Sequence, residues 1–213
     1  MKRQGVCRGS GPLTFLAGSA VRQNVDLFIL GLLLPIDMIG SYGVARRIMD
    51  SSYLSIDAMN RLIYPRFARL SREGIHNAFP DACRVLAAAL LLGIVTALSL
   101  FVMARYLPLM FGRDYHYLTF FLRCLSGTII FVAVWSVAVD LIGASGRQGT
   151  RALLMNSVNV LGSLAIAAAT WASAPVGTLV ALYATEIGTA AAAWLILLGL
   201  VQRSRDGRSV RPA

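Results

Sequence analysis

Charge is scarce in this chain, and lysine nearly absent. Charged residues make up 14% of the 213 residues, and Lys2 is the only lysine. A soluble surface built from interspersed lysine and acid is therefore excluded. Cysteine and histidine are equally thin. Cys7, Cys83 and Cys124 show neither ligand nor redox spacing and read as unpaired thiols. His76 and His116 stand in loop segments without partner residues, so no metal site is expected. No Ser/His/Asp set, metal-ligand cluster or phosphate-cradling glycine loop occurs. The chain reads as a non-enzyme without a cofactor. Short alternating strands are missing too, which argues against a barrel.

What is present is apolar length. Apolar residues make up 57% of the chain, and the mean hydropathy is +0.67. Runs at about 12–36, 84–106, 117–143, 151–173 and 177–201 each exceed the roughly 20 residues that cross a bilayer. A more polar helix at 40–65 makes a sixth candidate. The expected fold class is all-α: a polytopic membrane protein with about six transmembrane helices over 12–201. A cytosolic segment, 1–11, precedes them and a basic tail, 202–213, follows. The basic start and apolar stretch to Val21 mimic a signal peptide. Cleavage there would leave the first span too short, so it reads as part of that span.

The net charge of +10 is distributed by side, not by face. Lys2, Arg3, Arg8, Arg66, Arg69, Arg72, Arg84, Arg147, Arg151, Arg203, Arg205, Arg208 and Arg211 fall on one side of the spans; Arg105 and Arg113 fall on the other. This is the positive-inside bias, and it puts both termini in the cytosol. Nucleic-acid binding, the usual alternative for a basic chain, does not suit that placement.

Ten ionisable residues remain inside candidate spans: Arg22, Arg46, Arg47, Arg61 and Arg123 against Asp26, Asp50, Asp57, Asp140 and Glu186. Facing lipid, each costs about 2.5–3.5 kcal/mol, whereas a leucine returns only about 0.3–0.6. On the 40–65 helix, Tyr42, Arg46, Asp50, Tyr53, Asp57, Arg61 and Tyr64 share one face at about 100° per residue. That stripe is roughly 33 Å long at about 1.5 Å per residue, close to the roughly 30 Å of a hydrocarbon core. Arg22 and Asp26, Arg46 and Asp50, and Asp57 and Arg61 stand at i, i+4 spacing. Two readings follow: a hydrated path for a polar or anionic substrate, or internal ion pairs joining two helices. A third lays 40–65 flat on the cytosolic surface as an amphipathic helix. Glu186, deep in the last span, reads as a proton site or as an ion-pair partner of Arg123. Asp140, near the cytosolic end of its span, reads as a snorkelling or capping residue. Residues 35–40 are expected to form an external turn. Pro65 is expected to end the polar helix, and a basic cytosolic loop to follow over 66–83.

The segment from Val21 to Leu70 resembles the start of the second half of polysaccharide flippases. These are the O-antigen and capsule exporters of the multidrug/oligosaccharidyl-lipid/polysaccharide superfamily. The matching elements are Arg22-x3-Asp26, Ile29 to Gly31, Gly40-x-Tyr42-x-x-Ala45, and Pro65. Farther on, Met110, Phe111, Gly112 and Tyr115 resemble the family's Leu-Phe-Gly-x-x-Tyr element, and Ala144, Gly146 and Arg147 its Ala-x-Gly-Arg turn. The resemblance implies a flippase that carries a polyprenyl-diphosphate-linked oligosaccharide across the bacterial cytoplasmic (inner) membrane. It implies a substrate path lined by Arg22, Asp26, Arg46, Asp50, Asp57 and Arg61. Family members have two halves and this chain reads as one, so a separate amino-terminal half or a second copy is the implied partner, beside the lipid-linked oligosaccharide and the bilayer. The alternatives are half of a multidrug or cation exporter, or a non-transporting membrane fragment or scaffold.

Overall fold

A computed structural model describes residues 26–111, 115 and 117–209. Among them every regular element is a helix: α1 (26–33), α2 (Ile36–Leu70), a 3-10 turn (Ser71–Glu73), α3 (Ile75–Met103), α4 (Leu107–Phe111), α5 (Leu118–Ser126), α6 (Thr128–Ala144), α7 (Gln148–Ser173) and α8 (Val176–Ser209). The all-α membrane fold expected from composition is what the chain adopts. Four segments are long and apolar enough to cross a bilayer: Ile75–Met103, Leu118–Ala144, Gln148–Ser173 and Val176–Ser204. They correspond to the last four apolar runs of the sequence. Most of the first run lies outside the described residues.

Helix boundaries depart from the expected ones at polar segments. Residues 35–40 are no turn: α2 starts at Ile36, directly after Pro35, whose fixed φ suits a helix start. Pro65 does not end α2, which continues to Leu70. Proline costs one rung of the ladder but does not forbid the helix when the flanking turns are anchored. Here Phe67 is buried, and Arg66 is bonded to α3. The expected 66–83 loop shrinks to the 3-10 turn and Gly74. Gly74 has φ +129°, a conformation that side chains rarely adopt, and it reverses the chain into α3. Gly146, φ +80°, turns α6 into α7 in the same way. Helix α8 runs through Ser209, into the segment read as a basic tail.

Helix α6 is the hub. Ten of its 17 residues are buried, and α2, α3, α7 and α8 all pack on it. Against α3 the approach is close: a Cβ on Gly93 would lie 3.2 Å from Ala133 Cβ. Small residues at such crossings allow the dispersion contacts that hold helices together in lipid. The outer faces are apolar. Leu91, Val95, Leu98 and Val102 of α3 and Leu153, Val160, Leu164 and Trp171 of α7 are exposed, as a lipid-facing surface requires.

Cross-helix contacts give the directions. Thr119 bonds the Ala104 carbonyl at 2.9 Å while Gly93 meets Ala133, so α3 is antiparallel to α5–α6. Tyr183 donates to the Cys124 carbonyl at 2.6 Å, and Trp194 to that of Val134 at 3.0 Å, so α8 is parallel to α5–α6. Thr170 and Thr178 pair at 2.9 Å across the antiparallel α7–α8 hairpin. Helix α2 touches α5 at Phe121 through Tyr42, α6 at Thr128 through Tyr53, and the start of α7 at Gln148 through Tyr64. It therefore runs parallel to α5–α6 along that helix pair's whole length. The lengthwise contact does not fit a helix lying flat across the bundle's end.

Candidate functional site

The polar stripe of α2 divides into two clusters. Both arise because the helix repeat brings every third or fourth residue to one face.

The first cluster is closed. Asp26 on α1 is fully buried. Its carboxylate accepts a hydrogen bond from the Tyr42 hydroxyl and one from the Leu27 backbone N–H at 2.9 Å. Arg46 is 15% exposed and stands equally far from two acids: its Nε is 3.8 Å from Asp26 and 3.8 Å from Asp50. That nitrogen is buried and makes no hydrogen bond. The ring of Tyr42 packs edge-on against Phe121, 5.3 Å between centroids. About three turns beyond Tyr42, Tyr53 meets Thr128 at 3.2 Å. The closed cluster ties α1, α2, α5 and α6 together.

The second cluster is open. Asp57, Asn60, Arg61 and Tyr64 of α2, Asp140 of α6 and Arg151 of α7 line a cleft of about 280 Å³. Arg151 spans the α6–α7 turn to pair with Asp140 at 3.2 Å. Gln148 donates to the hydroxyl of Tyr64 in the cleft wall at 2.9 Å and to the Gly143 carbonyl at 3.0 Å. Arg61 is exposed and, among the described residues, joined to no carboxylate. Two cations and two acids thus share one opening. The guanidinium of Arg61 can take an incoming anion without first breaking a pair, and that of Arg151 can do so by letting go of Asp140.

The expected site residues fall as follows. Arg22 lies outside the described residues. Asp26, Arg46 and Asp50 meet in the closed cluster, the i, i+4 pair of Arg46 and Asp50 among them. Asp57 and Arg61 both stand at the open cleft. They are not paired with each other, although their spacing allows it. Glu186 and Arg123 each meet an aromatic side chain. Glu186 accepts from the Trp135 indole at 2.7 Å, and the Arg123 guanidinium lies 4.8 Å over the Phe101 ring. Glu186 thus bridges α8 to α6, and Arg123 packs toward α3. Cation–π contact gives a guanidinium in apolar surroundings a partner that needs no acid. Asp140 does not snorkel or cap; it pairs with Arg151.

Sequence reasoning overlooked Asn60, Arg151, Tyr42 as a donor, and Trp135. Asn60 carried a usable signal, being three residues past Asp57 and four before Tyr64, on the same face. No family model, curated protein or solved structure matches this chain.

Proposed function

We propose that this chain is one half of a flippase for a polyprenyl-diphosphate-linked oligosaccharide in a bacterial cytoplasmic membrane, with both termini cytosolic. The observation that carries this reading is the open, charge-balanced cleft on α2. It sits beside helices whose other faces are apolar. Since α2 lies along α5–α6 from end to end, it crosses the bilayer wherever they do. Its exposed polar residues, Arg47, Asp50, Asp57 and Arg61, then need cover other than lipid. A second half, a separate chain or another copy, supplies that cover and completes the path.

The geometry redistributes the roles among the arginines. Arg46 is held between two acids, so it serves the architecture. Arg61 and Arg151 are the cations that meet the diphosphate, and Asp57 and Asp140 balance them when the cleft is empty. At about 280 Å³ the cleft takes the charged headgroup, not a whole oligosaccharide.

The test is export of a lipid-linked glycan from cells whose own flippase is deleted, with the complementary half supplied. The double variant R61Q/R151Q is expected to lose export at least about tenfold at normal abundance, since each charge-assisted contact contributes roughly 1.5–3 kcal/mol. R61K, which keeps charge without the fork, is expected to fall between. Normal export by R61Q/R151Q would refute the proposed roles. Loss of abundance in parallel with export would favour a scaffold.

A further inference from the structure

A second basic site lies beyond the cleft, where α2 ends. Arg66 and Arg69 stand three residues apart on the last turns of α2, and with Leu70 they line a cleft of about 360 Å³. The Arg66 Nε donates to Asp81 of α3 at 2.8 Å, and Arg84 reaches the other oxygen of the same carboxylate at 3.3 Å. Asp81 is only 12% exposed, while Arg66 and Arg84 are 61% and 79% exposed. One sheltered carboxylate therefore holds two guanidinium groups whose remaining donors face outward. Arg69 and Arg72 are exposed, and among the described residues no ion pair engages Arg69. Residues 66–84 carry four arginines against two acids.

The carbonyls of Phe67 and Arg69 both accept from the Ser71 N–H. The position is specific. Tyr64, one turn earlier, bonds Gln148 at the start of α7, and His76 at the start of α3 meets Ser204 near the end of α8 at 3.1 Å. Arg66 and Arg69 thus sit level with the ends of the crossing helices, where headgroups lie.

We infer that this cleft binds the phosphate of an anionic glycerophospholipid in the adjoining leaflet, cytosolic in the orientation proposed above. Forked guanidinium donors fit phosphate oxygens bidentately. Basic pockets between membrane helices take anionic headgroups for this reason. Leu70 adds an apolar wall that suits a glycerol and the first carbons of its chains, and that a free phosphate would leave unused. The bound lipid fixes the α2–α3 junction at the membrane surface. The site is independent of what the chain transports.

The test is lipid retention by the full chain in nanodiscs of phosphatidylcholine with a minor fraction of phosphatidylglycerol, read by native mass spectrometry. The wild type is expected to retain phosphatidylglycerol over phosphatidylcholine. R69Q is expected to weaken that preference about fivefold and R66Q/R69Q about thirtyfold. R105Q, an exposed arginine at the opposite end, is expected to leave it unchanged. R69Q leaves the Arg66–Asp81 pair intact, so it decides the matter if the double variant misfolds. Millimolar inorganic phosphate is expected not to displace the lipid. Wild-type retention by R69Q, an equal loss in R105Q, or displacement by inorganic phosphate would each overturn the assignment.

Discussion

Asp26 and Asp50 stand the same 3.8 Å from one guanidinium nitrogen and differ in burial, Asp26 being 0% and Asp50 47% exposed. That makes a controlled comparison. At an effective dielectric of about 20, a pair at this distance attracts by about 4 kcal/mol; in water the figure is about 1 kcal/mol. Asp26→Asn keeps the side-chain volume and an acceptor for Tyr42 but removes the charge. It leaves Arg46, only 15% exposed, with one half-solvated partner. Breaking a buried pair from one side costs about 3–5 kcal/mol. Asp50→Asn removes an interaction screened by solvent, worth about 0.2–1 kcal/mol. For a chain this long, about 1 kcal/mol corresponds to roughly 2–4 °C in thermal midpoint. D26N is therefore expected to lower the midpoint of the purified protein by at least about 6 °C, and D50N by no more than about 4 °C. Adding R46Q to D26N removes the stranded cation and should recover most of the loss. Equal shifts for D26N and D50N would refute the reasoning, because burial would then not govern the strength of these pairs.

Two further substitutions probe the bundle. Gly93→Val drives a branched side chain into Ala133 and the Ile130 backbone across the α3–α6 crossing, where even a Cβ has 3.2 Å and 3.4 Å. It should cost about 1–3 kcal/mol, read as a lower thermal midpoint, with Gly93→Ala largely rescued by Ala133→Gly. An unchanged midpoint for G93V would show that the crossing yields. Trp135→Phe removes the indole donor to Glu186, a bond to a charged acceptor worth about 1.5–3 kcal/mol. The variant is expected to lose stability by that order; no loss in W135F would mean that the bond does not hold α6 to α8.

The crossing helices were legible because apolar length alone specifies them. The last four runs match four long apolar helices, since the few charges within them, Arg123, Asp140 and Glu186, are too sparse to lower their hydropathy below what a span needs. The polar stripe of α2 was legible for a related reason: helical period places Asp57, Arg61 and Tyr64 on one face whatever surrounds them. The pairing of the charges was not. Arg46 and Asp50 are near in sequence and meet, but Asp57 and Arg61 have the same spacing and do not. The Asp26–Tyr42 bond depends on the α1–α2 hairpin folding back at Pro35. Arg151 looked like one more cytosolic charge until the α6–α7 turn brought it to Asp140. The Glu186–Trp135 bond joins an acid to a neutral indole, a contact that charge matching alone does not suggest. Reading Pro65 as a stop failed because a helix interior tolerates proline when both sides are held.

Pro65 has a mechanical consequence. Lacking an N–H, it leaves the carbonyl of Arg61, four residues earlier, without its usual donor. The missing rung falls at the level of the open cleft, between Arg61 in its wall and the Arg66–Asp81 attachment below. With that rung absent, bending there strains one backbone bond fewer than elsewhere in the interior of this 35-residue helix. The portion above is clamped to α5–α6 through Tyr42 and Tyr53, and the portion below rides with α3. Any change in tilt between those two portions would be taken up at residues 61–65, beside Arg61 in the wall of the cleft.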